Sequence, residues 1–206
     1  MTKTYSGMIH LNGNPIAAID YETLGRRAGY HDIVQMAIVP LNSDLRPLES
    51  VRPFYTTMKP LHPERIERAA VRVHGLNIND LIMHAPEPGR VQDLLIEWYE
   101  RLELPFGKKL VPLAHNWAFE KAFTDAWLGN DLCETLFYGT ARDSMLVAGY
   151  INDREAMAGN TPPFNGLGLK SLALKFGIVN EKPHDAYHDS ITEAEVYRTL
   201  VKMDKF

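Results

Sequence analysis

An unbroken apolar run, Ile16-Ala17-Ala18-Ile19, passes without a turn residue into Asp20-Tyr21-Glu22-Thr23, and this junction constrains the fold more than any other feature of the chain. A run of this length is expected for a fully buried central strand. Side chains alternate faces along a strand, so Asp20 and Glu22 point the same way, with Cα atoms roughly 6.6 Å apart. Two carboxylates so placed can share one divalent ion. A hard cation such as Mg²⁺ takes carboxylate oxygens at roughly 2.1 Å and keeps several waters. A solvated strand end would use the same letters, so the remaining motifs have to separate the two readings.

Two further acidic motifs follow. Lys109-Leu110-Val111-Pro112-Leu113-Ala114 reads as another central strand and leads into His115-Asn116-Trp117-Ala118-Phe119-Glu120. Phe119, Phe123 and Trp127 recur every four residues, which is one helix face and is expected in the core, while Glu120 points off that stripe. Asn116 suits an N-cap at the strand-to-helix junction. Near the end, His184 stands five residues before Asp189, and Ile191, Ala194, Tyr197 and Val201 keep helix-compatible spacing. Asp189 therefore falls in a first helical turn, where the helix dipole also favours an acid on structural grounds alone. His184 lies before that helix, in a loop that can carry an imidazole able to take a proton near neutral pH. Jointly, the order and separation of the three motifs read as a two-metal nuclease site.

With Leu24-Gly25, Val73-His74-Gly75-Leu76 and Asp143-Ser144, these segments resemble the DEDDh group of exonucleases, which includes proofreading subunits of bacterial replicative polymerases, RNase T and oligoribonuclease. The resemblance runs from about Ile16 to Leu200. It implies an α/β, ribonuclease-H-like fold with a mixed central sheet, an antiparallel meander and flanking helices. It also implies 3′-to-5′ hydrolysis of terminal phosphodiesters in single-stranded nucleic acid, releasing nucleoside 5′-monophosphates with two Mg²⁺ or Mn²⁺ ions. By the same resemblance Asp20 bridges both ions, Glu22 and Asp189 complete one, and Glu120 supports the other. His184 is then the general base, and Thr23, Leu24, His74, Asn116 and Phe119 hold the terminal nucleotide. Homodimerisation and association with a polymerase are further expectations of this kind. DNA is slightly preferred over RNA as the expected substrate, although the letters themselves do not decide the sugar.

The sister group of exonucleases has a tyrosine four residues before the last acid. Here that position is Asp185, so the histidine version fits. One departure stands out: Glu120 occupies a position usually held by aspartate, which moves its carboxylate outward by about one C–C bond, roughly 1.5 Å. The alternative function is a catalytically decayed module that holds nucleic-acid ends or a polymerase. Asp125, five residues further along the helix and on another face, is the weaker substitute for Glu120.

With 206 residues and 45% hydrophobic content, the chain can bury one good core, so a single exonuclease domain is expected, with loosely ordered ends at 1–14 and 203–206. The lone Cys133 excludes an intrachain disulfide framework and suits packing. Neither a signal-peptide core nor a long apolar span is visible, which predicts a cytoplasmic protein with no membrane contact. A net charge of −4 argues against a broad basic surface for long duplexes, while a short single-stranded end stays compatible. Further strands are expected near 33–40 and 51–58, with turns at 29–32 and 42–44. Val91, Leu94, Leu95, Trp98 and Leu102 predict a core-facing helix, and 158–168 an irregular loop.

Overall fold

The computed structural model describes residues 7, 8 and 10–203. Of the ends expected to be loosely ordered, residues 1–6, 9 and 204–206 lie outside the described residues, whereas Met8 and Asn14 are buried. The first three strands, β1 (Ile16–Thr23), β2 (Ile33–Pro40) and β3 (Phe54–Thr57), form an antiparallel meander. β1 runs on through the acidic motif because β2 pairs with it as far as Thr23 opposite Ile33. β3 is shorter than 51–58: Pro53 has no N–H to donate, and the ladder starts at Phe54.

Helical material follows as α1 (Arg68–His74), α2 (Ile78–His84) and α3 (Pro88–Glu100). Next come β4 (Val111–Ala114), α4 (Trp117–Leu128), α5 (Asn130–Leu136) and β5 (Arg142–Asp143), then α6 (Ser144–Met157), α7 (Leu169–Phe176) and α8 (Ala186–Val201). β4 lies parallel to β1 and β5 parallel to β4, giving the mixed order β3-β2-β1-β4-β5. Between α6 and α7 the chain is irregular, as the Gly and Pro content of 158–168 predicts. It is pinned by Asn152, which donates from Nδ2 to the Phe164 carbonyl at 2.8 Å and accepts the Phe164 N–H at 3.0 Å.

The alternation of β1 sorts its residues between two cores. Ala17, Ile19 and Tyr21 pack with Met36, Ile38, Val91, Leu95, Phe123 and Cys133, the side covered by α3, α4 and α5. Ile16 and Ala18 pack with Val39, Leu113, Ala194 and Tyr197, the side covered by α8. Asp20 and Glu22 share the parity of Ile16 and Ala18 and so belong to the α8 side. Phe119, Phe123 and Trp127 all sit in or against the first core, the role their spacing predicts. In α8 the inward face is wider than the expected stripe: Ser190, Glu193, Val196 and Leu200 are buried, while Val201 is exposed. The reason is that α8 touches α6 and α7 as well as β1 and β2. Among the described residues no helix is long and apolar enough to cross a membrane.

Candidate active site

The site forms where β1 and β4 end beneath the start of α8. Asp20 and Glu22 arrive on one strand face, opposite Ala37 and Gln35 of β2. Asp189 enters from the first turn of α8, as predicted. His184, in the preceding loop, has a left-handed backbone (φ 65°), a conformation that histidine tolerates better than most residues. Ligand-capable atoms of Glu22, His184 and Asp189 all lie within 4.8 Å of one another.

Asp189 and the loop that carries His184 are held by their surroundings. Asp189 accepts a hydrogen bond from Asn180 Nδ2 on Oδ1 and one from the His184 N–H on Oδ2 at 3.2 Å, so the acid itself steadies the histidine loop. Asp185 is nearly inaccessible (2%) and accepts from Tyr55 Oη at 2.7 Å and Lys182 Nζ at 2.7 Å, with His188 Nδ1 at 2.9 Å. Burial alone would raise its carboxyl. The bonds from Lys182, His188 and Tyr55 outweigh it and hold Asp185 well below the usual carboxylate range. Gln35 completes this brace by donating to Tyr55 Oη at 3.1 Å and accepting the Ala186 N–H at 2.9 Å. The position that is tyrosine in the sister group is thus an anchor for the loop in this chain.

Glu120 is only 4% exposed, and its Oε2 has no hydrogen-bond partner among the described residues. Burial, with the nearby charge of Asp143, pushes its carboxyl up to about 8. Burial and the charges of Asp189 and Asp185 push Glu22 to about 8 as well. Asp20 is raised strongly by burial and then by Glu120, Glu22, Asp189 and Asp185, so it feels the charge of each of the other three predicted acids. An array of carboxylates with one buried oxygen unpartnered fits hard divalent cations, which supply the missing positive charge.

The nucleotide-holding residues are placed unevenly. His74 accepts the Leu76 N–H on Nδ1 at 3.0 Å, and its Nε2 is buried without a partner among the described residues. Burial and the proximity of His184 lower its pKa. Thr23 is buried and donates from Oγ1 to the Gly25 carbonyl at 2.7 Å. Leu24 is fully buried against Val34 and Leu81, the core position that an apolar residue after a strand commonly takes. Phe119 packs on Phe123 with ring centroids 4.8 Å apart.

Asn116 stands at the N-cap of α4, but in a left-handed conformation (φ 79°) and with no side-chain cap bond. The cap comes instead from Asp143, whose carboxylate accepts the N–H groups of Asn116 at 3.2 Å and Trp117 at 2.8 Å. The same carboxylate accepts those of Met145 at 2.9 Å and Leu146 at 3.1 Å, capping α6. The sequence reading also missed Glu193, which is fully buried and bonds the backbones of both central strands. Its signal was an acid one helical turn after Asp189, on the face that meets the sheet.

The comparisons agree with this architecture. Residues 17–197 match the RNase T exonuclease family, and the chain belongs to that family. No curated protein sequence matches it. Among solved structures, E. coli exonuclease I in complex with a dT13 oligonucleotide superimposes with a TM-score of 0.70 at 16% identity, over 91% of this chain and 41% of that one. The nuclease domain of 3′hExo, a DEDDh member bound to rAMP, gives 0.63 at 18% identity, over 91% of each chain. Cell-death related nuclease 4 gives 0.67 at 16% identity, over 92% of this chain and 64% of that one. The chain thus spans about two fifths of exonuclease I, and the likeness shows a shared ribonuclease-H-like fold.

Proposed function

We propose that the protein removes nucleotides from the 3′ end of single-stranded nucleic acid by two-metal hydrolysis, with DNA slightly preferred, releasing nucleoside 5′-monophosphates. The observation that carries this reading is the convergence of Glu22, His184 and Asp189 within 4.8 Å, beside the coupled Asp20 and the buried Glu120. Asp20, Glu22, Glu120 and Asp189 would hold two Mg²⁺ or Mn²⁺ ions. When bound, such ions neutralise the phosphate and stabilise charge on the attacking and leaving oxygens. His184 takes the proton of the attacking water, and its loop is aimed by the Asp189 and Asp185 contacts. His74 Nε2, with no protein partner among the described residues, is available to the terminal nucleotide. The neighbouring proteins that carry a dT13 oligonucleotide and rAMP support a nucleic-acid end as substrate but leave the sugar open.

The test is degradation of matched 5′-labelled single-stranded DNA and RNA with Mg²⁺ or Mn²⁺, with EDTA and Asp20→Ala controls. A ladder shortening from the 3′ end, abolished by either control, is expected. Intact strands with both metals would overturn the reading and leave a module that binds ends without cutting them.

A further inference from the structure

Glu193 belongs to none of the acidic motifs, yet it stands at the one place where the two central strands separate. The parallel ladder between β1 and β4 pairs Ile16 with Val111, Ala17 with Pro112 and Ala18 with Leu113, and ends there. Beyond that point the strands still carry buried N–H donors, which are costly to leave unpaired. Glu193 meets both: Oε1 accepts the Ile19 N–H at 3.0 Å and Oε2 the His115 N–H at 2.8 Å. A single carboxylate thus ties the two backbones together just past the end of their ladder.

What lies just past each bond gives this link its significance. Ile19 is followed by Asp20, and His115 leads through Asn116 into α4 and Glu120. On α8, Glu193 follows Asp189 by four residues, so one helix face presents a candidate cation ligand and, a turn later, the group that ties β1, which bears Asp20, to the segment leading into α4, which bears Glu120. We propose that Glu193 is a positioning residue, a brace that holds the ends of β1 and β4 at the separation at which Asp20 and Glu120 face a shared pair of divalent cations. This rests on the two-metal reading above. No other side chain does this equally well. An aliphatic residue would leave both donors unpaired, and glutamine would turn an NH₂ group toward one of them.

The experiment compares the wild-type 206-residue chain with Glu193→Gln. Mn²⁺ affinity is read by calorimetry, kcat and KM on a single-stranded oligonucleotide by kinetics, and amide exchange at Ile19 and His115 by NMR. Groups that orient metal ligands typically matter by 10–100-fold. Glu193→Gln should therefore lose Mn²⁺ affinity and kcat by that factor, with KM for the strand within about threefold. Amide exchange should speed up at least tenfold at Ile19 or His115. Glu155→Gln is the reference for a purely structural buried acid: Glu155, on α6, is 7% exposed and bonds Arg154 and, beyond the helix end, Asn160. It should lower Tm and leave Mn²⁺ affinity alone. If Glu193→Gln lowers only Tm, as Glu155→Gln does, or if neither amide exchanges faster, the brace is refuted while the exonuclease reading stands. A wild type that cuts nothing but still loses Mn²⁺ affinity on Glu193→Gln would sink the exonuclease reading and keep the brace.

Discussion

Replacing Glu120 by glutamine should stabilise the metal-free protein while removing its activity. The side chain is 4% exposed with one unpartnered oxygen, and its carboxyl rises from 4.5 to about 8 on folding, chiefly through burial. A raised acid means that the native state holds its proton longer than the unfolded chain does, so stability falls as pH climbs between those two values. Each pH unit in that window is worth about 1.4 kcal/mol, which makes the full penalty on the order of 5 kcal/mol above pH 8 and nil well below pH 4.5. Glutamine has the same shape and no charge, so it escapes the penalty. At about 2–4 °C per kcal/mol for a chain of this size, Tm in EDTA at pH 9 should rise by roughly 10 °C or more, and at pH 4 hardly at all. Calorimetry across that pH range in EDTA, with and without the substitution, is the assay. Saturating Mn²⁺ should erase the difference or reverse it, since the cation stabilises only a protein that binds it. A Tm at pH 9 that is unchanged or lowered in EDTA would refute the claim that an uncompensated buried carboxylate sits there.

Two other substitutions divide the remaining roles. His184→Ala should reduce kcat by roughly 10²–10⁴-fold through loss of the general base while keeping Mn²⁺ affinity within a few-fold, whereas Asp20→Ala should lose both. Because the imidazole lies within ligand reach of Glu22 and Asp189, equal loss of Mn²⁺ affinity in the two variants would make His184 a ligand instead. Asp143→Ala removes four backbone contacts at the starts of α4 and α6, and at about 1–2 kcal/mol per cap should destabilise the fold by roughly 2–4 kcal/mol. Chemical denaturation measures this, and a loss under about 1 kcal/mol would mean that water replaces the cap.

The acids were legible because their local context is short-range. Asp20 and Glu22 follow from strand alternation after an apolar run, and Asp189 from the first turn of a periodic helix. The aromatic stripe of α4 was legible as core for the same reason. Groups defined by a partner distant in sequence were not. Asn116 has the letters of an N-cap, yet Asp143, 27 residues away, performs the task, since a carboxylate brought in by β5 outcompetes a local amide whose backbone is left-handed. Leu24 read as a residue for the terminal nucleotide, and only packing against Val34 and Leu81 shows it enclosed.

The sequence by itself therefore determined the strand faces, the helix starts and the identity of the charged groups, since periods of 2 and 3.6 residues and capping chemistry act within a few positions. Tertiary structure alone decided that Tyr55 and Gln35 anchor the His184 loop, that Glu120 is buried with an unpartnered oxygen among the described residues, and that Glu193 accepts the Ile19 and His115 N–H groups, 174 and 78 residues away. Hydrogen-bond satisfaction and desolvation depend on which surfaces meet, and no local pattern in the chain records that meeting.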